Sequence, residues 1–128
     1  MGLGFDAHEI TVFADAMTKA TRVAARDAEA VVFKGAMNIK KDGARRISGH
    51  PHFRRLPAAI DFDMYRSLRG PAAEVGYNHA KPQGNLGHVA EYGGLYSSPL
   101  PAIGPAADAE EPRFAKAAED LAVKALGL

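Results

Sequence analysis

The chain has 128 residues, 47% hydrophobic and 24% charged, with a formal net charge of +1 and no cysteine. That length predicts one domain with a modest core, and the missing cysteines exclude disulfides, thiol catalysis and cysteine metal sites. The near-zero net charge removes any whole-chain polyelectrolyte argument for nucleic acid, and no apolar run reaches membrane-spanning length.

The opening MGLGFD lacks a signal-peptide core, and Asp6 stands where a myristoylation signal has Ser or Thr. A cytoplasm-like compartment is expected. Asp6-Ala7-His8-Glu9 reads as a capping box with Phe5 and Ile10 at the staple positions. Ile10, Phe13, Met17, Ala20 and Ala24 then recur at three- and four-residue steps, the stripe of an amphipathic helix. The pattern continues through Ala28, Val31, Val32, Ala36 and Ile39 to about Ile47. No Gly or Pro separates the two stretches, so two helices and one long helix both fit. Gly35 is a weak point, and a close helix crossing would account for it.

From Lys34 to Arg55 the charge is one-sided: Lys34, Lys40, Lys41, Arg45, Arg46, Arg54 and Arg55 against Asp42 alone. Cations near a helix C-terminus complement its dipole, which explains part of the run as a solvated face. The functional reading is a basic surface turned to DNA or to an acidic partner. His50 and His52 lie two apart in an extended turn, but a metal site needs further ligands and none is near in sequence. Pro51 and Pro57 forbid the helix from continuing.

Residues 59–65 alternate strictly, with Ile60, Phe62 and Met64 on one face and Asp61, Asp63 and Tyr65 on the other. Paired carboxylates on an alternating strand are most simply its wet face. After Arg69-Gly70-Pro71 a second strand places Ala73, Val75 and Tyr77 on one face, and the two suit a hairpin with a medium loop. Residues 78–87 are turn-rich and read as a mobile loop without phosphate-loop spacing. Val89 to Tyr92 fits a short helix that must stop at Gly93-Gly94. Pro99, Pro101 and Pro105 then make a stiff extended arm. Its root carries Glu91, Tyr92, Leu95, Tyr96, Leu100 and Ile103, a composition that suits docking on a neighbour. The bland alternative is a connector packed on its own domain.

Pro105 suits the first turn of a last helix, and Pro112 should kink or restart it. Phe114, Ala117, Ala118, Leu121 and Ala125 form its stripe, closed by Gly127. Asp108, Glu110 and Glu111 make an acidic patch that could meet the basic segment across a head-to-tail interface between copies. The expected fold is α+β: N-terminal helices (6–48) and a C-terminal helix (105–127) on a small antiparallel sheet (58–78), with a loop and proline-rich arm (79–104), in one domain. No nucleophile elbow, phosphate loop or metal spacing is present, so neither an enzyme nor a cofactor is expected.

Gly84-Asn85-Leu86-Gly87, Glu91-Tyr92-Gly93, Pro99-x-Pro101 and the helix through Glu110-Glu111-Pro112-Arg113-Phe114 together resemble the tail-component family of long-tailed bacteriophages. These are neck proteins, acting where head and tail join. Ile47-Ser48-Gly49-His50-Pro51-His52 is similar to actinophage-type members. The resemblance runs from about the first helix to the C-terminus and rests on the order of its short motifs. Lys81-Pro82-Gln83 has no clear counterpart, and Gly94-Leu95-Tyr96 falls at a variable insertion point. The resemblance implies a break between Arg22 and Asp27, hence two N-terminal helices. It also implies a structural role without catalysis, a homo-oligomeric sixfold ring around the tail axis, and partners among head-closure, terminator and tube proteins. Within that reading the chain is a virion protein assembled in the host cytoplasm, and its basic segment could face DNA in the channel. A tail-terminator ring and a small nucleic-acid-binding module are the alternatives.

Overall fold

Helix α1, Ala14–Ile47, is the longest element of the computed structural model, which describes residues 8–9 and 14–127, with side-chain surroundings from Arg26 onward. It is continuous. The break implied between Arg22 and Asp27 does not occur, consistent with a stretch that holds neither Gly nor Pro. Ala28, Val32, Ala36, Ile39 and Ile47 are buried along one face. Helix α4, Ile103–Ala125, packs against it through Ile103, Ala106, Phe114, Ala118 and Leu121. The crossing is close because Gly35 has no side chain. A Cβ there would sit 2.6 Å from Cδ2 of Phe114. Pro112 neither ends nor restarts α4. It lies on the exposed side, where its missing N–H leaves a carbonyl to solvent.

The sheet is antiparallel, in the order β1-β3-β2, with β1 at His8–Glu9, β2 at Ile60–Ser67 and β3 at Gly70–Tyr77. His8 and Glu9 pair with Val75 and Glu74, so they are strand and not the capping box read from the sequence. Asp6, Phe5, Ile10 and Phe13 lie outside the described residues. The hairpin is tighter than expected: Ser67 pairs with Gly70, leaving only Leu68 and Arg69 to turn. Pro71 lies inside β3 opposite Arg66 of β2, and among the described residues β1 pairs with Glu74 and Val75 only.

Ile60, Ala73, Val75 and Tyr77 are buried as the alternation requires, and Phe62 meets Phe33 of α1 edge-on at 5.3 Å. Met64, nearer the hairpin tip, is 37% exposed. The result is an α+β fold in which α1 lies between the sheet and α4. A four-residue helix, α2 (Leu56–Ala59), leads into β2, and a six-residue helix, α3 (Gly87–Tyr92), follows a 3-10 turn at Gly84–Leu86.

Candidate interaction surfaces

Helix α4 starts two residues earlier than the prolines suggested, and Glu91 at the end of α3 caps it. Its Oε1 accepts the backbone N–H groups of Ala102 (2.9 Å) and Ile103 (3.1 Å), and its Oε2 accepts that of Gly104 (2.9 Å). Helix starts leave such donors without internal partners and carry a partial positive charge. A buried carboxylate answers both. The Leu100 N–H also donates to the Ala90 carbonyl (2.6 Å), so residues 93–101 fold back on α3 as a strap.

This corrects the reading of that segment as an arm reaching for a neighbour. Glu91 (6% exposed) and Ile103 (1%) belong to the chain's own interior, and Leu100 packs against the same core. The outer half of the strap is different. Gly94 and Ser97 close a tight turn through two backbone hydrogen bonds, Gly94 N–H to Ser97 O (3.0 Å) and Ser97 N–H to Gly94 O (3.4 Å). At its tip Leu95 and Tyr96 are 94% and 99% exposed, and Tyr92 beside it is about half exposed. Val89, exposed on α3, lies against Gly94 and helps line a recess of about 390 Å³ with His50, His52, Phe53 and Leu100.

The stretch read as a mobile loop is held at both ends. Asn78 donates its N–H to Ala59 O, and the Gln83 side chain ties to Arg55 N–H (2.8 Å) and His52 O (3.1 Å). Gly84 and Gly87 sit where only glycine fits: a Cβ would come within 1.8 Å of the Asn78 carbonyl oxygen and 2.2 Å of the Tyr77 ring, respectively. Tyr77 is buried; that burial, and then the negative charge of Glu91, push its phenol well above its ordinary value. Asp61, expected on a wet face, instead accepts from Lys40 (2.9 Å), Lys81 (2.7 Å) and Asn78. Burial alone would raise its carboxyl, but these donors outweigh burial and hold it below the usual carboxylate range.

The basic run is not one surface. Lys40 is taken by Asp61, and Asp42 is gripped by Arg45 and by Arg46 Nε (3.0 Å). Burial raises the Asp42 carboxyl, and the two guanidiniums more than reverse that. Arg54 and Arg55 belong to the turn before α2, away from the α1 cations in the chain's path. What assembles is a groove of about 500 Å³ between α1 and α4, lined by Asn38, Lys41, Asp42, Arg45, Arg46 and Arg113 with Ala109. Lys34 lines the adjoining hollow over Gly35 and Phe114.

Sequence reasoning missed Arg113 because nothing local links it to α1; the packing of α4 on α1, with Phe114 over Gly35 and Glu110 bonded to Asn38, brings it there. Of the acidic patch, Asp108 and Glu111 are exposed and Glu110 is not. Glu110 is 4% exposed, accepts a hydrogen bond from Asn38 (3.0 Å) and is ion-paired with Arg113 (2.8 Å), so it is engaged within this chain's helix pair.

His50 and His52 turn towards each other, the His52 N–H donating to His50 Nδ1 (3.2 Å), and His50 lies against Phe53. Among the described residues no three His, Asp or Glu side chains gather in a metal-binding arrangement, and no helix is long and apolar enough to cross a membrane. No known family profile, curated protein or solved structure matches the chain.

Proposed function

We propose that the chain is a structural neck protein of a long-tailed phage, joining the tail to the DNA-filled head as a ring of identical subunits and acting by binding alone. The observation that carries this reading is the Leu95–Tyr96 turn. An aliphatic and an aromatic side chain are held almost fully in water at its tip, closed by its own hydrogen bonds and rooted on the Glu91 cap. Large apolar groups on a preorganised turn suit an anchor that enters a pocket on a partner, because little conformational freedom remains to be lost on binding. The resemblance of the chain's motif order to the phage tail-component family points to the same role.

Head-to-tail pairing of basic and acidic segments is no part of this proposal, since Glu110 is engaged within the chain. The contacts between subunits rest on the apolar turn. Electron microscopy of particles made with this gene disrupted tests the proposal. DNA-filled heads and finished tails should accumulate unjoined, whereas normal infectious particles would refute the neck role.

A further inference from the structure

We infer that the groove between α1 and α4 is a contact site for the phosphodiester backbone of nucleic acid, built from Lys41, Arg45, Arg46 and Arg113. Three of these cations are guanidiniums, and each lies against a carboxylate: Arg45 and Arg46 are hydrogen-bonded to Asp42, and Arg113 is ion-paired with Glu110. A guanidinium carries five N–H donors. The donors that Arg45 and Arg46 commit to Asp42 orient those two forks and leave the rest for a ligand. Arg45 and Arg113 remain mostly exposed, with 72% and 64% of their side chains accessible. Lys41 is exposed and has no ion-pair partner among the described residues. The four cations outnumber the two carboxylates that hold them, so the groove stays positive.

The lining chooses between kinds of partner. Protein interfaces are anchored by apolar and aromatic side chains at their centre, and here Ala109 is the only apolar residue among the described lining residues. Phosphate contacts need charge and donors but no apolar floor. Nucleic-acid backbone therefore fits the groove better than an acidic protein segment. The inference stands on groove chemistry and is independent of the neck role, because binding by the purified chain and joining of particles are measured separately.

The test is fluorescence anisotropy of a labelled mixed-sequence DNA duplex with the purified chain, between about 50 and about 200 mM salt. Affinity should fall steeply with salt, log K against log [salt] having a slope of about −0.9 for each phosphate contacted. Lys41→Ala and Arg45→Ala should each shallow that slope by about one unit, while Lys124→Ala, outside the groove, leaves it unchanged. Arg45→Lys should recover part of the loss, which a purely structural defect would not. No binding at the lowest salt would overturn the inference. So would a slope indifferent to the groove variants, or tighter binding of a poly-glutamate peptide than of the duplex.

Discussion

Glu91→Ala should destabilise the chain by about 3–4 kcal/mol in urea unfolding, a large share of a typical domain's stability. Losing an ordinary N-cap costs about 0.5–2 kcal/mol. Glu91 is more than an ordinary cap: one buried carboxylate accepts three backbone N–H groups from a segment more than ten residues away. Alanine would leave those donors buried without partners, and hydrogen bonds to charged groups are the stronger kind. Glu91→Gln should cost roughly half as much, because its carbonyl can keep the Ala102 and Ile103 bonds while its NH2 faces the Gly104 donor. A loss below about 1 kcal/mol for Glu91→Ala would mean the carboxylate is not what holds α4 in place.

The α1–α4 crossing gives the second large effect. Phe114→Ala should cost about 3–5 kcal/mol, the usual range for removing a buried phenyl group; Phe114 is 2% exposed. Gly35→Ala alone should cost about 1–2 kcal/mol, since overpacking outweighs the better helix propensity of alanine. The new methyl would meet the Phe114 ring at 2.6 Å. In the Phe114→Ala background the same substitution should cost nothing or stabilise, because its methyl enters vacated space. A double-mutant cycle in urea should therefore show coupling of about 2 kcal/mol. Strict additivity would show that the two residues do not share a contact.

Features set by neighbours in sequence were legible, and features set by chain reversal were not. The apolar stripes of α1 from Ala28 onward and of α4, and the alternation at Ile60–Phe62 and Ala73–Val75–Tyr77, are local patterns, and each faces the core, though Met64 at the exposed end of β2 only in part. The continuity of α1 was left open: no breaker lies near Arg22–Asp27, so one helix and two both fit the residues, and the break expected from the family resemblance does not occur. The role of Glu91 could not be read. A glutamate at the end of a short helix looks like a surface residue until the strap folds back and presents the start of α4 to it. The same holds for Asp61, whose cations come from α1 and from the 78–87 segment, and for Arg113, delivered to α1 by a glycine–phenylalanine crossing. Of the six residues chosen for an interface, Tyr92, Leu95 and Tyr96 remain exposed, while Glu91, Leu100 and Ile103 serve the chain's own packing. Composition alone could not separate the tip of the strap from its root.

The joining role of the exposed turn is tested most directly by complementing the disrupted gene with a Leu95→Ser/Tyr96→Ser variant. Both side chains lie in water, so the purified variant should keep its urea midpoint, as surface substitutions generally do within about 0.5 kcal/mol. With folding intact, unjoined heads and tails seen by electron microscopy are the result this account predicts. Joined, infectious particles at the wild-type yield would contradict it.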